Sequence, residues 1–467
     1  MYIRHLYSRI TITILILLAA GWLILIQGTS EKSMEQEQIE EPVTIPAEYD
    51  KQIVSTDNGN LTEHDHAAQE GEEASASTLP ETETPATADP ANDSANDLIT
   101  YMEQMSLQEK IAQMMYVGVS GTSLHEQEQQ LIAEDHVGGI ILLGGNIENK
   151  QQLSRYVTDM KKANQTYPIP LFIGADEEGG RVSRIPDSIL NFPSNQVIGR
   201  VEDEQLSYEI GQLLARKVKS FGMNMNFAPV LDIHSNPHNQ VIGDRAFGAE
   251  PDLVSTLGIA TMKGMQSKSV IPVVKHFPGH GDTKLDSHVH LPRVNKSLQE
   301  LERNELIPFR RSIAEGAEMV MVAHVLYPQL DDQYPASLSP VLLTDLLRKQ
   351  MGFEGVVVTD DLSMGAITSH YTMPEAVIQS IRAGSDMVMV TQIHRDDYQA
   401  LLQAISAAVE SGQIPRKQID DSVARILALK QRRSPLQGTS AASQPQPLAD
   451  QLTTLNEDIQ AVLRQIP

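Results

Sequence analysis

The chain has 467 residues, 41% of them hydrophobic, with aromatics scarce at 4%, a length that suits two or three domains or one large domain with appendages. It contains no cysteine, which excludes thiolate metal sites, catalytic cysteines, disulfides and a lipid-modified cysteine. The formal charge of −25 is concentrated in Glu31–Leu98, where 18 Asp and Glu face two Lys; the remainder is mildly acidic and shows no basic nucleic-acid footprint.

Arg4, His5 and Arg9 precede an apolar run from Ile10 to Ile26 that only Thr11 and Thr13 interrupt. The run sits at the lower limit for spanning a bilayer, roughly 17–25 residues, and the flanking positive charges place the N-terminus in the cytoplasm. A cleavable signal peptide is the competing reading. The exit, Ile26-Gln-Gly-Thr-Ser30, offers no clear small-x-small cleavage site, so residues 1–30 are expected to form a cytoplasmic stub and an uncleaved transmembrane anchor. Either reading exports the rest of the chain, which makes a single-pass cell-membrane protein with an extracellular catalytic domain the expectation. Residues 31–96 are rich in Glu, Thr, Ala, Pro and Ser and hold few large apolar residues. Such a segment cannot bury enough surface to offset its ordering entropy, so it reads as a disordered acidic tether; an acidic binding arm is the other reading.

Folded structure is expected over residues 97–432. Ser106-Leu-Gln-Glu109 is a capping box ahead of the amphipathic run Lys110–Met115. Short apolar runs then alternate with helical patterns: Met115–Val119, Gly139–Leu143, Pro170–Gly174, Met223–Ala228, Val270–Val274, Met319–Ala323, Gly355–Val358 and Met387–Val390. Continuous apolar runs between helices indicate parallel strands covered on both faces, and eight of them point to an α/β fold, a (β/α)₈ barrel of TIM type with insertions. A doubly wound open sheet is the alternative on periodicity alone. Residues 433–467 read as a linker and a C-terminal helix, with apolar spacing through Leu452, Leu455, Ile459 and Leu463 that suits docking on the barrel or on a partner.

The carboxyl ends of most runs are polar: Asp176-Glu-Glu-Gly-Gly-Arg181, Asp232, Lys275-His276, His324 and Asp360-Asp361. In a barrel these ends converge on one mouth. The densest stretch runs from Lys275 to His288, and three readings of it stand side by side. His276, His280, Asp282, Asp286, His288 and His290 could hold a metal ion; Lys275 and His276 could bind substrate hydroxyls while Asp286 and His288 move protons; or all could be loop hydrogen bonds. The strand before Asp360 raises a similar choice, because an acid directly after a buried strand is costly unless paired, and a helix cap or ion pair competes with a catalytic role.

Together, six segments resemble glycoside hydrolase family 3 in its bacterial β-N-acetylglucosaminidase branch, from about Ser106 to about Lys430. They are Asp176-Glu-Glu-Gly-Gly-Arg-Val182, Asn226-Phe-Ala-Pro-Val-Leu-Asp232, Gly243-Asp-Arg-Ala-Phe-Gly248, Lys275–Gly281, Asp286-Ser-His288 and Val358-Thr-Asp-Asp-Leu-Ser363. The resemblance implies Asp360 as nucleophile, with Asp361 the less favoured neighbour. It implies His288 as acid/base oriented by Asp286, and Asp176, Arg245, Lys275 and His276 as ligands of the terminal sugar, with Arg181 and Asp232 as supports. It implies no metal and no cofactor. The substrate class it implies is a glycan ending in N-acetylglucosamine, in cell-wall fragments or chitooligosaccharides. Family members that are β-glucosidases commonly draw their acid/base from a second domain, for which residues after 432 leave no room. A phosphorylase of the same family and a catalytically silent sugar-binding surface protein are the rival readings.

The implied chemistry suits these residue types. A retaining glycosidase needs one carboxylate to attack the anomeric carbon and another group to protonate the departing oxygen. A histidine, with an ordinary pKa near 6.5, both gives and takes a proton around neutrality, and a carboxylate beside it fixes its tautomer. Gly279 and Gly281 suggest a loop free to carry His288 in and out.

Overall fold

Ser106 caps the helix Leu107–Gln113 as its capping box requires: its Oγ accepts from Glu109 N at 3.2 Å, and the Glu109 carboxylate accepts from Ser106 N at 2.8 Å. The computed structural model describes residues 101–283, 286–433 and 447–466. The expected anchor and acidic tether lie outside the described residues, as does linker 434–446. Among the described residues no helix is long and apolar enough to cross a membrane.

Eight parallel strands pair in chain order and close on themselves. They are β1 (Met115–Gly118), β2 (Gly139–Leu142), β3 (Phe172–Ala175), β4 (Met225–Asn226), β5 (Ile271–Phe277), β6 (Met319–Val322), β7 (Val356–Asp361) and β8 (Met387–Val390). The ring shuts where Met115 of β1 meets Val388 of β8. Helices alternate with the strands, so both faces of each strand are covered and a continuous apolar run is the composition that suits them. The fold is therefore the closed barrel and not the open sheet.

The largest departures from the expected strand boundaries are in β4, β5 and β7. β4 keeps only two paired residues: Phe227 N still donates to the Ala175 carbonyl at 3.0 Å, but Ala228 N turns back to the Asn226 carbonyl at 2.9 Å. β5 runs three residues past Val274, so Lys275 and His276 stand on the strand itself and not in the loop after it. β7 likewise carries Asp360 and Asp361 as its last two residues.

The barrel interior is filled, as is usual for this architecture. The Tyr116 ring is fully buried and meets Phe227 edge-on at 5.4 Å between centroids. It fits because position 139 is glycine: a Cβ there would stand 2.4 Å from a Tyr116 ring carbon. Outside the strands, Lys217 of the helix Glu204–Ser220 reaches Glu177 at 2.5 Å with both side chains wholly buried. The same carboxylate accepts from Ser183 Oγ, Arg184 N and Ile185 N at 2.8–3.0 Å. One buried ion pair thus fixes the course of the loop after β3.

The C-terminal helix Leu448–Leu463 buries Leu452, Leu455, Ile459 and Val462. Of the two docking partners expected, it uses the barrel: Arg216 pairs with Asp458 at 2.6 Å, and the Asn456 side chain bonds Leu190 N and Ser188 O at 2.8 and 3.1 Å. Val462 takes the buried position expected of Leu463, which is only partly covered.

Candidate active site

At the carboxyl ends of the strands lies a cavity of about 980 Å³, and Asp176, Arg245, Lys275, His276, Asp286, His288 and Asp360 all line it. All seven residues singled out from the sequence therefore share one space, although they come from five separate segments. Arg181 also borders it, but its guanidinium is spent on Asp244 and on the carbonyls of Gln240 and Val241, each at 2.8 Å, so it braces the loop after β4.

One side of the cavity is a buried charge cluster. Lys275 Nζ lies 2.6 Å from Asp176 Oδ1 and 2.6 Å from Glu178 Oε1. Glu178 in turn takes a two-pronged grip from Arg245, with contacts of 2.9 and 2.7 Å. Burial pushes the Glu178 carboxyl toward its neutral form, but Arg245 and Lys275 outweigh it and hold the pKa well below the ordinary range. Two acids and two bases balance, which is what makes such burial tolerable. Asp176 is bonded through Oδ1 and makes no hydrogen bond through Oδ2 among the described residues, so an acceptor remains for a ligand. His276 donates from Nδ1 to Asp232 Oδ2 at 2.6 Å, and its Nε2 lies 3.4 Å from Arg245 Nη2. Asp232 is fully buried; burial raises its pKa, and His276 and His280 lower it by more.

On the opposite side stand the two aspartates of β7, and their hydrogen bonds separate them. Asp361 accepts from Ser363 N at 2.9 Å, from Thr391 N at 3.0 Å and from the Thr391 hydroxyl, which makes it the brace between β7 and β8. Asp360 accepts only from Asp361 N, at 2.8 Å through Oδ1, and among the described residues its Oδ2 is free. Burial favours the neutral acid, yet His324, His276, the Asp361 backbone N–H and Lys275 together keep the Asp360 pKa below the ordinary carboxylate value. His324 is wholly buried. Its Nε2 lies 2.9 Å from the Asp361 carbonyl, which can only accept, so Nε2 carries the proton and Nδ1 accepts from Ser337 Oγ at 2.7 Å.

The third wall carries Asp286 and His288. His288 donates to Asp286 Oδ1 from both its backbone N, at 2.9 Å, and its Nδ1, at 2.8 Å. Against the raising effect of partial burial, these two bonds hold the Asp286 pKa below its ordinary value. With Nδ1 fixed as a donor, Nε2 is the atom left to exchange a proton. The residues of the metal reading are engaged differently: His276 with Asp232, His280 with Thr283 and Ser287, Asp282 with Lys296 at 2.9 Å, and Asp286 with His288. Among the described residues no three such side chains gather as a metal ion requires.

Residues 106–429 match the N-terminal domain of glycosyl hydrolase family 3. The chain belongs to that family. Among its curated relatives, a protein named β-hexosaminidase A from Pseudoalteromonas piscicida is 34% identical over 66% of this chain and 56% of its own length, so the chain spans little more than half of that relative. A β-hexosaminidase from Stenotrophomonas maltophilia is 38% identical over 59% of this chain and 83% of its own. Of solved structures, a glycoside hydrolase family 3 β-N-acetylglucosaminidase from Paenibacillus superposes with a TM-score of 0.70 at 38% identity, covering 78% of this chain and 69% of that one.

Three residues of this family 3 site receive no role of their own from the sequence, although Glu178 and His324 stand among the polar strand ends expected at the mouth. Glu178 sits inside a motif whose first acid is the more conspicuous, and nothing local marks it as the residue bridging Lys275 and Arg245. His324 lies just past β6 and reads as a strand-end residue without a role. Arg184 lines the cavity with its Nε buried and, among the described residues, without a hydrogen-bond partner; no local signal in the sequence marks it. The two glycines read as loop hinges have another explanation. A Cβ at Gly281 would fall 1.7 Å from the Ile233 carbonyl oxygen, and one at Gly279 would meet Glu305 Cβ at 2.9 Å, so both allow close packing.

Proposed function

We propose that this protein is an exo-acting β-N-acetylglucosaminidase that releases terminal, non-reducing N-acetylglucosamine with retention of configuration. The observation that carries this reading is the placement of an ionised, hydrogen-bond-poor carboxylate, Asp360, in the same cavity as a histidine oriented by its own carboxylate. The names of the relatives supply the substrate class.

In the first step Asp360 Oδ2 attacks the anomeric carbon, and the bond from that carbon to the leaving oxygen breaks. The leaving oxygen takes the proton from His288 Nε2, and Asp286 stabilises the imidazolium before transfer. In the second step water attacks the glycosyl ester, His288 takes its proton, and Asp360 departs as carboxylate. Asp176, Lys275, His276 and Arg245 would hold the sugar hydroxyls, and Arg184, whose Nε has no hydrogen-bond partner among the described residues, adds donors to the same wall. Binding the ring rigidly against the nucleophile contributes through orientation, and the proton transfer by roughly 10²–10⁴-fold.

The apolar run Ile10–Ile26 and the acidic stretch after it support a placement outside the cell membrane, tethered within reach of the wall. Muropeptides are accordingly the preferred substrates, ahead of chitooligosaccharides. The test is an NMR time course with an aryl N-acetyl-β-glucosaminide, in phosphate and in a non-nucleophilic buffer. The β-anomer of free N-acetylglucosamine should form first in both. A sugar 1-phosphate as main product would make the protein a phosphorylase, a first-formed α-anomer would exclude retention, and an absence of turnover would favour the silent binding protein.

A further inference from the structure

The side chains of Asp286 and His288 are 49% and 67% exposed, so little around them fixes where they stand. Ser287, between them, is buried. Its Oγ lies 3.0 Å from His280 Nε2, and His280 Nδ1 lies 3.0 Å from Thr283 Oγ1. The His280 backbone N donates to Asp232 Oδ1 at 2.6 Å, on the carboxylate whose other oxygen holds His276. From the far side, Ala366 N and Gly365 N donate to the Ser287 and His288 carbonyls at 3.2 and 3.1 Å, just beyond the end of β7. The exposed pair is therefore moored at one buried residue, between the sugar-holding histidine and the strand of the nucleophile.

We propose that His280 is the positioning residue of the proton-transfer pair, acting through the Ser287 hydroxyl. This rests on the assignment of His288 as acid/base. A neutral imidazole offers one donor and one acceptor, which two hydroxyls can complete in either sense; an imidazolium would lose the acceptor. Burial, reinforced by His276, brings the His280 pKa down to about 4, so the neutral form holds throughout the working range. His280 itself does not line the cavity among the residues that do, and its effect reaches the reaction only through geometry. A small displacement of a proton donor is enough to cost turnover.

The test compares two substrates with the same N-acetylglucosamine, one with a good aryl leaving group and one with a sugar leaving group, in Ser287→Ala, His280→Phe, the double variant and His288→Ala. Phenylalanine keeps the ring volume and removes both nitrogens. Ser287→Ala and His280→Phe should each lower kcat/KM on the sugar-leaving substrate on the order of 10-fold, a part of what general acid catalysis supplies. Aryl-substrate kcat/KM, which reports the first step alone and needs no acid, should stay within about two-fold, and the double variant should be no worse than the worse single one, since both cut the same connection. Equal losses of kcat/KM on both substrates, or additive losses, would overturn the proposal. If His280→Phe does not fold, Ser287→Ala decides alone by the same split. Should His288→Ala itself fail to separate the two leaving groups, the acid assignment falls and this inference with it.

Discussion

Asp360 and Asp361 are adjacent, of one residue type and on one strand, so only their surroundings can tell their roles apart. Asp361 is committed to Ser363 and Thr391, whereas Asp360 keeps an oxygen for the cavity. Asp360→Asn should therefore lower kcat on an aryl N-acetylglucosaminide on the order of 10⁴-fold, as loss of a covalent nucleophile does elsewhere, with an unchanged thermal melt. Asp361→Asn should lower Tm and leave measurable turnover. Acidity acts at this scale too. His280, depressed by burial from 6.5 to about 4, with Asp232, His276 and Asp360 as its titratable neighbours, binds a proton less readily in the folded chain than in the unfolded one. The unfolded state then carries more protons between these values, so stability rises with pH across that window and is lost as pH falls from about 6.5 to about 4. Glu178, whose folded pKa is lowered, adds a loss in the same direction below the ordinary glutamate range. Urea unfolding at pH 7 and pH 4.5 should show the difference, and His280→Phe should shrink it. A stability independent of pH there would contradict the buried neutral His280.

At the scale of elements, the loop after β3 depends on a single wholly buried pair. Lys217→Met leaves the Glu177 carboxylate with its backbone donors but without its cation, and should cost about 3–5 kcal/mol in urea unfolding. Adding Glu177→Gln should recover part of that loss, because no unpaired charge then remains inside. The strands were legible in the sequence because parallel strands covered on both sides demand unbroken apolar runs. The end of β4 was not, since Phe227 and Ala228 are equally apolar yet lie beyond the residues in register with β3 and β5. The ends of β5 and β7 were misjudged for the opposite reason. Lys275, His276 and Asp361 are polar enough to suggest a loop, but Asp176, Asp232 and Thr391, past the ends of other strands, satisfy them in place. Among the site residues, those within short motifs were readable, and those defined by long-range pairs were not. The His280 moorings fall in this second group, with Asp232 lying 48 positions back along the chain.

Across the whole molecule, the barrel and the C-terminal helix contribute differently. The helix closes over apolar surface on Glu204–Ser220, far along the chain from the proton-transfer loop, and its buried face of Leu452, Leu455, Ile459 and Val462 was visible as helical spacing. Which surface it met was not visible, because a spacing names a face and not its partner. Ending the chain after Arg433 should lower Tm by several degrees in calorimetry while kcat/KM stays unchanged; a loss of activity at unchanged Tm would assign the helix a part in the site. The barrel itself brings Asp360 to the space shared with His288, and the most direct measurement of that arrangement is to trap the sugar in transit. His288→Ala with an aryl N-acetyl-β-glucosaminide needs no acid for the first step and lacks the base for the second, so the glycosyl ester should accumulate. After quenching and digestion, mass spectrometry should find one N-acetylhexosamine on the peptide bearing Asp360, at that residue. A sugar attached to Asp361 or to any other side chain, or undiminished turnover with no adduct at all, would contradict the account.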